Sequence, residues 1–309
     1  MGLSSSGTLA YVPTERDRRT LVRVEPDGGA TPLSPIRDQY VSVRVSDTDG
    51  RLLVNAFVKL WIYDVDGDRV PLIPETGIVP QATGIWDRTG SRVIYSSNRD
   101  GNWDIFARTP GEGIREVVVQ REFDQLVMDL ADDGTLAFVE THPETGNDVW
   151  LIPPGGEPTL WQGTQANEAA ANFSADGRWI AYSSHVTGRS EIWIGAVDAP
   201  GGARTQVTTE GGQDPVWSPT GDRLFYRRGS AVMAVDVVDP DTPTLGAHRP
   251  VFDGGWAFPG PDAATHLHTY DVMPDGETLV MIRYEPAAIP DRIHVVLNWF
   301  EELERSAAR

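Results

Sequence analysis

The sequence predicts an all-β fold, a β-propeller of four-stranded antiparallel blades. Three observations carry that expectation. A turn glycine recurs at a nearly constant interval. Short apolar strands flank it each time. Glycine (31) and proline (23) are both abundant, which favours many short strands over long helices.

The glycines are Gly7, Gly50, Gly90, Gly134, Gly177, Gly221 and Gly276, and the intervals are 43, 40, 44, 43, 44 and 55 residues. Each follows an Asp, Thr or Ser in a tight turn. Glycine takes the positive φ such turns need, and Asp bonds nearby backbone. Before the turn stands a short strand: "VSVRVS", "TGIW", "LVMDL", "AANFS", "PVWS", "TYDVM". After it comes a second, such as "RVIYSS", "TLAFVE" or "RWIAYSS". A third often opens on an acidic residue, at Asp104, Asp148 and Glu191. A fourth, such as "EVVVQ" or "PTLWQ", closes the unit. Four short strands per period of about 40–45 residues is the propeller signature.

The stretch "YSSNRDGNWDIF" (95–106) reads as the hairpin joining second and third strands, and "YSSHVTGRSEIW" (182–193) as the same hairpin two blades on. Asn98, Arg99 and Asp100 are then turn residues. One such sheet cannot bury both faces alone, so each blade must cover its neighbour. Trp86, Trp103, Trp150, Trp193 and Trp217 are read as that inter-blade core. Ring closure protects the strand edges.

Seven turn units predict seven blades. Only "MGLSS" precedes Gly7, and the last unit lacks a clear fourth strand. One blade built from both chain ends would give six, the alternative. The tail "FEELERSAAR" has good helix formers, and a short C-terminal helix is expected over 299–309, with 1–309 forming one propeller domain. The longest interval holds "DGGWAFPGPDAATHLH", a candidate functional loop.

The formal net charge is −19, which argues against nucleic acid, because phosphate binding needs a basic face. Cysteine is absent, so no disulfide, thiolate metal site or cysteine nucleophile exists. No apolar run of about 18 residues spans a membrane. The start, "MGLSSSGTLAYV", is not a signal peptide, so the chain is expected to be cytosolic or a domain of a longer exported protein. No Gly-x-Ser-x-Gly elbow, His-Glu-x-x-His or phosphate-binding loop is present.

"FSADGRWIAYSSHVTGRSEIWI" resembles the TolB-type propeller repeat. "GGQDPVWSPTGDRLFYRRGSAVMAVDV", "YDVMPDGETLVMI" and above all "VVLNWFEEL" resemble the C-terminal propeller of bacterial transmembrane serine/threonine kinases and related stand-alone propellers. The resemblance covers essentially the whole chain. It implies an extracytoplasmic sensing or scaffold propeller with a protein or peptide partner. No kinase motif is present, so kinase activity does not lie in these residues.

Two sets of site residues follow. Strand one of each blade lines the channel, and the loop leading into it sits at a channel mouth. Gln81, Gln125 and Glu168 stand nine residues before their turn glycines, Gln213 and His268 eight before, and Asp214 seven before. Similar registers place these polar side chains around one opening, as a site for a small polar ligand, a cation or a peptide terminus. Separately, His266 and His268 have the spacing of a metal pair on extended chain, with Asp262 or Asp271 as a third ligand. No cofactor is expected on the first reading. On the second, a divalent cation, calcium or a transition metal, makes the chain a metal-dependent propeller lyase or hydrolase.

Overall fold

The fold is taken from a computed structural model, which describes residues 2–4, 7–11, 19–64, 66–73, 80–239, 241–253, 267–284, 294–297 and 299. Six four-stranded antiparallel sheets are arranged as blades. Blade 1 runs Tyr40–Val45, Leu52–Ala56, Lys59–Tyr63, Arg69–Pro71. Blade 2 runs Gln81–Trp86, Val93–Ser97, Asp104–Arg108, Glu116–Val119. Blade 3 runs Asp124–Leu130, Leu136–His142, Gly146–Ile152, Thr159–Gln162. Blade 4 runs Glu168–Phe173, Trp179–Ser184, Glu191–Ala196, Arg204–Gln206. Blade 5 runs Gln213–Trp217, Arg223–Arg228, Ala231–Asp239, Thr244–Asp253.

Blade 6 joins the two ends of the chain. Tyr270–Val272 and Leu279–Tyr284 supply its first two strands, and Arg19–Val24 and Ala30–Pro32 the last two. Leu279 to Tyr284 pair with Val24 to Arg19 without a register shift. The first strand of every blade touches the first strand of the next, so the ring is closed.

The count is therefore six blades, not seven. The Gly7 unit is not a blade: Leu9–Tyr11 pairs with Gly2–Leu3 on one edge and with His294–Val296 on the other, in a separate three-stranded sheet. Six blades shut the ring by pairing distant segments, which a count of local turns does not register. Of the helix expected over 299–309 only Trp299 is described, and its backbone is helical; 300–309 lie outside the described residues.

The six remaining glycines do one job. Gly50, Gly90, Gly134, Gly177, Gly221 and Gly276 have φ of 72°, 67°, 89°, 69°, 74° and 74°, and each ends the turn between first and second strands. At the five beyond Gly50 the amide donates to the carbonyl three residues back, as Gly134 does to Ala131 (2.9 Å). Non-glycine residues rarely take that φ.

The cores lie between blades. Val139, Val149 and Trp161 of blade 3 pack with Ala171, Phe173 and Tyr182 of blade 4. Val22, Leu279 and Met281 of blade 6 pack with Val216, Phe225 and Val232 of blade 5. The tryptophans do not occupy one equivalent position. Trp86 and Trp217 end first strands and are buried; Trp150 and Trp193 lie on third strands, Trp103 just before one, and these three are half-buried.

Candidate functional site

The first strands run parallel round the axis, so the channel has a strand-start end and a strand-exit end. The two ends differ. At the start end the sequence places Gln81, Gln125, Glu168, Gln213, Asp214 and His268. The structure turns several of these into their own surroundings. Gln125 is fully buried and its Nε2 donates to Glu140 (3.2 Å) and to the Phe123 carbonyl. Glu168 is fully buried and accepts from Thr164 Oγ1 (2.7 Å) and Ser184 Oγ (3.0 Å). Burial pushes its carboxyl up, and these donors only partly offset that. Gln81 Oε1 accepts from the Leu60 amide of blade 1 at 3.2 Å. Gln213 Oε1 accepts from Arg227 at 2.9 Å.

Asp214 and His268 are brought together across the seam between blades 5 and 6. Asp214 Oδ1 lies 2.7 Å from His268 Nδ1, and both side chains are buried. Asp214 Oδ2 accepts from the Thr269 amide (2.9 Å) and hydroxyl (3.0 Å). Burial pushes this carboxyl up, but His268, Arg227 and the Thr269 amide outweigh it and hold it below the usual range. Asp214 has φ 56° within a bulge between Gln213 and Val216, and Ala170 has φ 51° in the matching bulge of blade 4. Bulges re-aim side chains, and Asp tolerates this backbone better than most residues.

The metal pair is only half placed. His266 lies outside the described residues, as do Asp262 and the loop 254–266. Asp271, the other candidate third ligand, is paired with Arg44 instead (Nε–Oδ2 3.4 Å). His268 Nε2 has no partner, an orientation that a ligating histidine held by a carboxylate adopts. A gap of about 10 Å³, room for one water, adjoins it, but the other residues lining it are Ser42, Arg44, Thr83, Gly84, Ile85, Val127 and Met128. A guanidinium, two neutral hydroxyls and apolar groups are not a metal donor set, and no cluster of three or more ligating residues occurs among the described residues.

A cavity of about 270 Å³ lies at the strand-exit end. Every blade contributes the last residue of its first strand: Val45, Trp86, Leu130, Phe173, Trp217 and Val272. Deep in it, Arg44 of blade 1 crosses to Asp129 of blade 3 (Nη2–Oδ1 3.0 Å) as well as reaching Asp271 of blade 6. Burial alone would weaken the Arg44 proton; the Asp271 and Asp129 carboxylates reverse that and raise its affinity. Burial pushes Asp271 up despite Arg44. Nearer solvent, Arg88 joins Asp47 (2.9 Å) to Asp132 (3.2 Å).

These walls are fixed by bonds between blades. Asp129 Oδ2 accepts from Asn172 Nδ2 and the Phe173 amide, both 2.8 Å. Asn172 Oδ1 accepts from the Trp217 amide (2.7 Å). Asp271 Oδ2 accepts from the Val45 amide (2.8 Å). Asp129, Asn172 and Asp271 each stand five residues before a turn glycine. That register, five before the glycine rather than seven to nine, is the signal in the sequence that marks this end.

No protein-family model matches the chain. An uncharacterized protein of Agrobacterium fabrum is 27% identical over 144 residues, 44% of this chain. That match spans 46% of the relative, so the chain covers about half of that protein's length. Among solved structures, a protein of Agrobacterium tumefaciens assigned as a TolB superposes with a TM-score of 0.71 at 19% identity, over 88% of this chain and 99% of that one. An oligogalacturonate lyase in complex with manganese superposes with a TM-score of 0.57 at 14% identity, over 92% of this chain and 99% of that one. At these identities the likeness shows the fold alone, a β-propeller like that of the TolB structure. No helix among the described residues is long and apolar enough to cross a membrane.

Proposed function

We propose that residues 1–309 form one non-catalytic binding domain, a sensor or scaffold propeller that recognises a protein, peptide or small polar ligand at a channel mouth. The observation that carries this is the strand-exit cavity. All six blades line it, its polar wall is held by bonds between blades, and Arg44 crosses beneath it, so it is a preformed pocket rather than an open pore. Preorganised polar walls lower the entropy cost of binding. Asp214 and His268 carry the same role at the strand-start end. An extracytoplasmic setting in a kinase-linked or envelope system rests on the "VVLNWFEEL" ending and the TolB-like fold. Cell fractionation tests the setting; recovery with cytoplasmic markers alone overturns it. For recognition, capture from an envelope extract is compared between the native chain and Ala175→Trp, an exposed turn residue lining the cavity. Loss of captured partners on plugging is expected. Retention of every partner refutes recognition at this mouth.

A second reading, a metal-dependent enzyme using His266 and His268, is favoured by the unpartnered Nε2 of His268 and the shared fold of the manganese-bound lyase. The described donors around Nε2 do not fit a metal. Elemental analysis of the purified protein, with a manganese thermal shift on native and His268→Ala protein, decides it. A stoichiometric metal lost in the variant promotes the enzyme.

A further inference from the structure

Blade 5 differs from the other five at its outer edge. Its third and fourth strands, Ala231–Asp239 and Thr244–Asp253, have nine and ten residues. Elsewhere those two strands have at most seven and four. The extra length carries the hairpin past the start of the second strand at Arg223 and back to blade 4, where Asp241 Oδ1 accepts from Arg178 Nη1 (2.7 Å). Arg178 also holds Asp176 of its own turn (Nε–Oδ2 2.6 Å). Both ion pairs are exposed and add little stability. Their effect is to place the hairpin tip over the seam.

Between this hairpin and blade 4 a cleft of about 380 Å³ stays open. Packed interiors leave few voids larger than a water, so a gap of this size is unlike the core beside it. Its apolar wall is Trp179, Trp217, Val237 and Pro243. Trp179, Val237 and Pro243 are half-buried, and Trp179 and Val237 pack on the core shared by blades 4 and 5. An apolar concavity with a few polar groups at its edge is the usual form of a binding site. Indole walls and this volume suit an aromatic side chain, which packs edge to face on such rings.

Charge selects what accompanies that ring. The edge of the cleft holds Asp176 and Asp222 against Arg178, already committed to Asp176 and Asp241. Ser174, Ala175 and Trp217 line both the cleft and the strand-exit cavity, so the two adjoin. The cavity adds the exposed Asp47 and Asp132, which share Arg88. An anionic partner meets a like field along the whole groove, and a cationic one is attracted. In an extended chain residues two apart lie on one face, about 7 Å from each other. We propose that the cleft docks a partner peptide, with an aromatic side chain between blades 4 and 5 and a basic residue two positions away over the acidic mouth. The proposal rests on the recognition role of the propeller and names the partner's chemistry. It moves the anchoring contact off the axis.

The test is titration calorimetry of the whole chain with a capped peptide, Gly-Lys-Ser-Trp-Ser-Lys-Gly, to about 1 mM, a weak specific affinity. Two relatives are run beside it, one with alanine for tryptophan and one with glutamate for both lysines. Ala175 lines both cavities, so the variants come from residues that line one. Thr220→Trp and Pro243→Trp plug the cleft from its two sides, and Asp132→Arg reverses a charge at the mouth alone. The expected result is binding of the parent peptide at least about tenfold tighter than either relative, lost in both plugged variants. Asp132→Arg should weaken it about threefold. Melting curves show which variants are folded; should one plug fail, the other and the three peptides on the native chain decide. A relative that binds as tightly as the parent overturns the proposal. So does parent binding that survives both plugs; if Asp132→Arg abolishes it, recognition at the mouth still stands. Silence of all three peptides overturns the docking, while the mouth role stands or falls on partner capture.

Discussion

Arg44→Met tests whether the strand-exit end is held as described. The substitution keeps much of the side-chain volume and removes the cation between Asp129 and Asp271. The side chains of Arg44, Asp129 and Asp271 are 12%, 9% and 9% exposed, so solvent screens the pair poorly. Breaking a buried ion pair from one side costs about 3–5 kcal/mol, because a charge is left buried without its partner. Here both carboxylates keep other donors: the Val45 and Val272 amides for Asp271, and Asn172 with the Phe173 amide for Asp129. The lower end, about 3 kcal/mol, is therefore expected. For 309 residues the unfolding entropy near the midpoint is about 0.65 kcal/mol/K, so that loss lowers Tm by about 5 °C. The pH dependence gives a second check. The Asp271 carboxyl is already pushed up by burial, and losing Arg44 pushes it further. A raised folded pKa means that stability is present at low pH and lost as pH rises. The deficit of the variant should thus shrink between pH 7 and about pH 4. Calorimetric melts at the two pH values measure it. Arg88→Met is the comparison: its partners Asp47 and Asp132 are 53% and 73% exposed, and a loss within about 1 kcal/mol is expected. An Arg44→Met loss no larger than that of Arg88→Met, or one that deepens on acidification, refutes the reasoning.

Three further outcomes are expected. Asn172→Ala strips the Trp217 amide of its acceptor and Asp129 of a donor, and should cost about 1–3 kcal/mol in urea unfolding. Asp214→Asn removes a carboxylate held below its usual range, so its stabilisation is full above the unfolded pKa of about 3.9 and is lost as pH falls through the lower folded one; the variant should be weaker at pH 7, with a deficit that shrinks as the pH drops below about 3.9. Gly177→Ala meets only the Ala131 methyl at 3.8 Å and should lose about 1–2 kcal/mol from its positive φ alone, whereas Gly90→Ala also drives its methyl into the Thr48 hydroxyl and should melt lower.

Much of the fold is legible because local chemistry dictates it. Gly90, Gly134, Gly177 and Gly221 each need positive φ, so no other residue serves cheaply there, and the period survives in the sequence. The hairpin over 95–106 is local too, with Ser97 opposite Asp104, and its copy in blade 4 sets Ser184 opposite Glu191. The blade count was legible only as an alternative: a blade shared by both chain ends was weighed, but Met281 opposite Val22 is a pairing between those ends that no local pattern records, so the turn count favoured seven. The candidate site was legible only in part. Gln125 and Glu168 sit at the expected register, yet a polar residue at a strand start can turn to its own loop as easily as to the axis. The bulges decide which, and a bulge at Asp214 leaves no mark that separates it from the straight pairing of Tyr270 to Val272.

The register at the strand-exit end has a reason in backbone accounting. The first strand of a blade has a partner on one edge only. Its other edge faces the axis, where buried amides still need acceptors. Each seam answers with a polar side chain. Asn55 of blade 1 donates to the Gln81 carbonyl of blade 2 at 2.9 Å. Ser96 of blade 2 accepts from the Val127 amide of blade 3 at 2.9 Å. Asp129 serves Phe173, Asn172 serves Trp217, Asp214 serves Thr269, and Asp271 closes the ring on Val45. Every stitch runs from one blade to the next in chain order, so the polar groups at the axis are there to shut the ring. A ligand at the mouth has what that leaves over, such as the free lone pairs of the exposed Asp47 and Asp132. Substitutions at the stitches should therefore cost stability first, and substitutions at the rim should change binding with the melting temperature nearly unmoved.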